Sequence, residues 1–257
     1  MKRCRWLALV MVLPVVAAAS GDEVIIAAER GDVAALGRLL DAGADVNARD
    51  ARGRNAVLAA TQGGQVEAAR VLIARGADVN AQDDIRDSAF LLAGARGHTE
   101  IVRLALAAGA NLTSTNRYGG TALIPACHYG HVETVRVLLD AGVDVNHVNN
   151  LGWTALLEAV ILGDGGPRHA EIVRLLIAHG ANLNLADRQG ATPLAHAEQR
   201  GQRTISDLLQ RAGGTTVDIR ADRALRRRPA SGQGPSHRSV NQGMRCRRSE
   251  ATIGRPL

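Results

Sequence analysis

One phrase recurs six times between Ser20 and Gly214, and its clearest copy reads Gly119-Gly120-Thr121-Ala122-Leu123, then Gly130-His131-Val132-Glu133, Leu138-Leu139, Gly142, Asp144, Val145 and Asn146. Aligning the glycine that opens each copy gives Gly53, Arg86 in a glycine's place, Gly119, Gly152 and Gly190, so steps of 33 residues are followed by one of 38. A period of this size belongs to stacked helical units, each too small to bury its own apolar face. It excludes a globule built around one central cavity. The units fall at 20–52, 53–85, 86–118, 119–151, 152–189 and 190–214, between a leader at 1–19 and a tail at 215–257.

Each position of the phrase has a physical task. Thr121, Thr154 and Thr192 are expected to cap a first helix, their hydroxyl oxygens accepting from amides that have no partner within the helix. Small residues (Ala27, Ala28, Ala60, Ala126, Cys127 and Ala159) let neighbouring units approach. Glu67, Glu100, Glu133 and Glu171 are expected in the first turn of a second helix, facing the positive end of its dipole. The pairs Leu39-Leu40, Leu72-Ile73, Leu138-Leu139 and Leu175-Leu176 supply apolar area. Gly43, Gly76, Gly109, Gly142, Gly180 and Gly213 then end that helix in a left-handed conformation.

Taken together, these positions resemble the ankyrin repeat. The match is best in its second half, as in Gly43-Ala44-Asp45-Val46-Asn47, Gly76-Ala77-Asp78-Val79-Asn80 and Gly180-Ala181-Asn182-Leu183-Asn184; only Thr192-Pro193-Leu194 keeps the Thr-Pro-Leu core. The resemblance implies an all-α solenoid of helix-turn-helix units with short β-hairpin-like finger loops. It also implies a non-catalytic module that binds another protein through its fingers and concave face, with no cofactor, metal or small-molecule substrate. One departure is systematic: where the family has histidine after Leu, this chain has Ile25, Leu58, Leu91, Ile124, Leu157 or Ala195. Apolar packing is expected to replace the family's buried Thr–His network.

The resemblance also directs attention to particular side chains. Finger tips contain Arg86, Asp87, Arg117, Tyr118, Asn150, Trp153 and Arg188, and these, with Glu158, are the candidate protein-binding residues. Tyr118 and Trp153 stand out in a chain that is only 2% aromatic, since large amphipathic rings are frequent energetic centres of interfaces. Trp153 has an equally good second reading as the cover of its own finger. The fifth unit carries five extra residues within Gly163-Asp164-Gly165-Gly166-Pro167-Arg168-His169, a loop expected to bulge away from the fingers, with Asp164, Arg168 and His169 as candidate contacts. A tolerated insertion explains it equally well. Pro125 falls four residues after Thr121, at the border of the first helical turn.

Catalysis finds no support. His98 and His131 belong to the turn between helices, and His128, His147, His169, His179 and His196 are dispersed over different units, with no triad spacing, zinc spacing or phosphate loop.

The first nineteen residues place Lys2, Arg3 and Arg5 before an apolar run from Trp6 to Ala19 that closes on Ala17-Ala18-Ala19, the layout of a cleavable signal peptide. The run is shorter than the roughly 20 residues a spanning helix needs; an uncleaved anchor is the alternative. Arginine outnumbers lysine thirty to one, which suggests a GC-rich bacterial genome and, with the leader, a periplasmic or secreted protein. Cys127 fills an alanine slot and reads as a small core residue rather than half of a bridge to Cys246.

The net charge of +6 divides unevenly. The leader has three basic residues and no acid, and the tail has ten Arg against Asp218, Asp222 and Glu250, so the repeat block is mildly acidic. With few apolar residues, the tail is expected to be disordered. It could attach weakly to an anionic surface; without aromatics, it makes nucleic acid an improbable partner. The expectation is a monomer of the bacterial cell envelope that binds a partner protein. The alternatives are an immunity-type inhibitor of an exported toxin or enzyme, and a surface-attachment protein held on acidic lipid or polymer by its basic tail.

Overall fold

A computed structural model describes residues 20–217; the proposed leader and nearly all of the arginine-rich tail lie outside the described residues. The chain folds into six helix pairs: α1 (Gly21–Arg30) with α2 (Val33–Asp41), α3 (Ala56–Gln62) with α4 (Val66–Ala74), α5 (Ala89–Arg96) with α6 (Thr99–Ala107), α7 (Leu123–His128) with α8 (Val132–Asp140), α9 (Ala155–Ile161) with α10 (Pro167–Ala178), and α11 (Pro193–Gln199) with α12 (Arg203–Arg211). Each first helix packs on the first helix of the next unit and each second helix on the next second helix, giving two parallel layers. A single continuous core runs between them, from Val24 and Leu36 to Ile205 and Leu209.

Local chemistry sets the helix ends. Asn55, Ser88, Thr154 and Thr192 each accept from the backbone amide three residues on, at 3.0, 3.3, 3.2 and 3.3 Å. Thr121 does not cap. At Asn55, Ser88, Thr154 and Thr192 the amide four residues on donates back to the capping residue's carbonyl, as Glu158 N does to Thr154 O at 2.9 Å. Pro125 occupies that place in the fourth unit and has no amide to give. The turn tightens to Ile124 N donating to Thr121 O at 3.3 Å. The helix starts a residue later, at Leu123, and the buried Thr121 Oγ1 is left without a partner.

The second helices end as the sequence suggests, with Gly43, Gly76, Gly109, Gly142, Gly180 and Gly213 all between φ +81° and +92°. Arg86, standing where other fingers have glycine, adopts φ +64°. The substituted positions Ile25, Leu58, Leu91, Ile124 and Leu157 are all buried, so apolar contact fills the place of the polar network in the first five units, while Ala195 of the sixth is only half-buried.

Among the described residues there is no β-strand, and the fingers are tight turns rather than hairpins of paired strands. Each is locked by one Asx residue. Asp50, Asp83, Asn116, Asn149 and Asp187 donate through their amides to the carbonyl four residues on, at 2.9–3.0 Å. The Oδ1 of each accepts amides two and four residues ahead. The adjoining asparagines staple unit to unit. Asn47, Asn80, Asn146 and Asn184 each donate to a glycine carbonyl of the next unit and accept an amide from it. Thr113 replaces the asparagine at the junction of the third and fourth units and bonds only to Asn111 of its own turn.

The fifth unit departs from expectation. Its extra residues form both a loop and an added helical turn, so α10 has 12 residues where the other second helices have 9. Pro167 suits the first turn because its missing amide would have no helical partner there. Glu171 consequently lies past the first turn, and its role is an ion pair with Arg174 at 3.1 Å.

Candidate functional site

Glycines in the inter-helix turns leave room for a column of polar side chains from the following unit. Gln65 lies against Gly31, His98 against Gly64, His131 against Gly97, His169 against Gly130 and Gln202 against Gly165. His169 therefore keeps the register of His131 despite the insertion. It is buried, with Nε2 2.9 Å from the His128 carbonyl and Nδ1 2.7 Å from Asp164 Oδ1. Of the insertion candidates, His169 is thus a structural bolt, while Asp164 and Arg168 are exposed. The amide of Gly166 and then the contact from His169 hold the Asp164 carboxyl below its usual range.

Between this column and the fingers, the first helices of the third to fifth units floor a groove of about 1190 Å³, whose turn end is lined by Gly64, His98 and His131 of the column itself. Leu91, Leu92 and Ala95 of α5, Ile124, Pro125 and His128 of α7, and Glu158 of α9 line its floor; Ile85, Asn116, Arg117, Tyr118 and Leu151 line its finger side. Four sequence candidates meet here: Asp87, Arg117, Tyr118 and Glu158. Arg117 places its guanidinium 4.8 Å from the centre of the Tyr118 ring and 3.8 Å from Asp87. Burial, then the nearby Asp83 charge, raises the Asp87 carboxyl above its usual range.

Arg86, Asn150, Trp153 and Arg188 lie outside this lining. Trp153 is half-buried, and its backbone closes the finger against Asn149. Arg188 reaches back to the Asn150 carbonyl, and the Asn150 amide donates to Tyr118 O at 2.9 Å; these residues tie fingers to one another.

Tyr129, Ile85, Leu151 and Leu162 were not singled out by the sequence, yet all four are exposed and line the groove. The available signal was position: Tyr129 directly precedes Gly130-His131, and Ile85 and Leu151 directly precede the turn residues Arg86 and Gly152. Tyr129 stacks on His128, with ring centroids 4.2 Å apart and planes within 12°.

Glu158 is the unusual floor residue, with only 6% of its surface exposed. Its Oε1 accepts from Asn149 Nδ2 at 3.1 Å. Its Oε2 lies 3.7 Å from His128 Nδ1, too far for a hydrogen bond. Burial pushes the carboxyl from 4.5 up to about 7 against the opposing pull of Asn149. Burial, followed by the charge of His169, lowers His128. Cys127 is buried alongside, its thiol pushed far up by burial and by the Glu158 charge, so it is no nucleophile. Among the described residues no group of His, Cys, Asp and Glu side chains could hold a metal.

Stacked helix pairs, finger turns and a concave groove define a helical-repeat binding scaffold. Family profiles then place the chain: those described as ankyrin repeats match residues 24–73, 90–166 and 142–221, and the chain belongs to the ankyrin repeat family. An ankyrin repeat domain from Acinetobacter baumannii AYE superposes with a TM-score of 0.73 at 54% identity, covering 75% of this chain and 98% of that one. The ankyrin repeat protein EF0377 gives 0.71 at 38% identity, covering 76% and 98%. The ankyrin repeat domain of Bcl-3, a member of the IκB family, gives 0.67 at 27% identity, covering 75% and 86%. The curated ankyrin repeat protein YahD of Escherichia coli (strain K12) is 48% identical over 56 residues, 22% of this chain and 28% of its own length. Ankyrin repeats are in general non-catalytic protein–protein interaction modules.

Proposed function

We propose that this chain is an exported, non-catalytic protein-binding module that acts as a monomer and holds another envelope protein along the groove of its third to fifth units. One observation carries the reading: five of the nine large exposed apolar or aromatic side chains among the described residues, Ile85, Tyr118, Tyr129, Leu151 and Leu162, face this one groove. Clustering of this kind marks an interaction surface, whereas scattered exposed side chains do not. Polar groups rim the patch at Asp87, Arg96 and Arg117, the usual arrangement around an anchoring cluster. The leader pattern supports export.

The test is capture from periplasmic extract by the full-length protein and by a Tyr118→Ala/Tyr129→Ala variant. Both rings are half exposed, so the variant should keep its fold. Loss of the partner by about tenfold or more is expected if the rings are anchors. Recovery of identical proteins in identical amounts would sink the assignment of the groove. Sequencing the mature N-terminus tests export separately, with cleavage expected near Ala19.

A further inference from the structure

We infer that Glu158 is the docking point for a cationic side chain, an arginine above all, presented by a protein segment lying in the groove. This rests on the groove being the protein-binding face. The position occupied by Glu158 is Ile26, Ala59, Leu92 and Pro125 in the four preceding units and His196 in the last. His196 spends its Nε2 on Asp187 at 2.8 Å. Glu158 is therefore the carboxylate set into the floor, and most of its acceptor capacity is unused: a carboxylate offers about four acceptor sites, and Asn149 fills one. Among the described residues no arginine or lysine pairs with it.

The second unit shows how this scaffold holds a guanidinium at the same register. There Arg54, buried to 6% exposure, donates through Nε to Asp50 Oδ2 at 2.8 Å. It also bonds Gln62 and approaches Glu29 of the preceding unit at 3.6 Å. In the finger leading into the fifth unit Asn149 stands where Asp50 does, and His128 of the fourth unit stands where Glu29 does. Trp153 replaces the arginine. The anion has moved to Glu158 on the helix, and the cation is missing from the chain.

A visiting arginine would supply it, forming a paired, charge-assisted contact in a partly desolvated site. Leu162 and Leu151 suit its methylene stem. The face of Tyr129, itself stacked on His128, offers a cation–π surface at the entrance.

The test uses the full chain and two probes, acetyl-Leu-Arg-Leu-amide and the same peptide with neutral citrulline, followed by NMR of the Asn149 side-chain amide and the Tyr118 and Tyr129 rings. The arginine peptide should bind about tenfold more tightly than the citrulline peptide, a preference typical of a close charge pair. In Glu158→Gln, which keeps the acceptor for Asn149, that ratio should fall to near one. Equal binding of the two peptides, or a preference that survives in Glu158→Gln, overturns the inference. So does a site that ignores both probes while its Asn149 amide moves when Arg226, Arg227 and Arg228 are changed to Gln, because the chain's own tail would then be the occupant. Arginine preference with tyrosine-independent capture from extract would defeat only the broader reading; tyrosine-dependent capture without arginine preference would defeat only this one.

Discussion

The second and fifth units build polar knots from corresponding positions, and they finish them differently. Around Arg54, the guanidinium is paired by Asp50, bonded by Gln62 and approached by Glu29, so the buried charge is compensated within the chain. Around Glu158, one asparagine amide serves the carboxylate, and the neighbouring histidine stands too far off to bond. The Asx-locked finger is the same in both. What differs is whether the unit supplies its own counter-charge, which turns one knot into a structural tie and leaves the other an open acceptor.

The largest test of this contrast is Arg54→Ala. Removing one partner from a buried ion pair strands the other, so urea unfolding should show a loss of about 3 kcal/mol. A loss within experimental error would mean that the first knot is not a tie.

Glu158→Gln should act in the opposite direction. Because the folded carboxyl titrates near 7 rather than 4.5, the native state holds its proton more tightly than the unfolded chain. The stability linked to Glu158 is complete below about pH 4.5 and is lost as pH rises through about 7. The variant should gain on the order of 2 kcal/mol over wild type at pH 8 and little at pH 5. His98, His128 and His131 oppose this trend in both proteins: burial lowers them from 6.5, so their contribution is complete above that value and lost as pH falls. Melting curves from pH 5 to 8 separate the two, because only the carboxylate part disappears in the variant. A variant less stable than wild type at pH 8 would show that Glu158 is already satisfied.

The smallest effect is expected at Thr113, between the two knots, where the asparagine staple is missing. Thr113→Asn should restore a donor and an acceptor across the junction and add about 1 kcal/mol, with a steeper urea transition. An unchanged midpoint would show that other bridges, such as the 2.7 Å contact between Thr99 and Thr134, already couple the halves fully.

Much of this was readable in the chain itself. The 33-residue step, the left-handed glycines and the caps at Thr154 and Thr192 follow from local backbone chemistry, which a repeated phrase reports directly. The failed cap at Thr121 was also signalled, since Pro125 falls where a helical amide is required; a motif match at the threonine masked it. Glu171 was misplaced because the insertion's length does not say whether its residues will be loop or helix. The burial of His169 and the convergence of Tyr118, Tyr129 and Leu162 on one groove depend on how neighbouring units stack. Such contacts join residues dozens of positions apart, and periodicity carries no record of them.

The column of side chains that includes His131, His169 and Gln202 has one more consequence. It runs unbroken past the 38-residue step, so the pitch of the stack is governed by what each turn glycine receives rather than by how many residues the chain spends reaching it. The span Gly163–Gly166 is thereby a splice point in the scaffold. Extra residues are accommodated there while the following unit stays in phase, provided that Gly163 still receives His169 and Gly165 still receives Gln202.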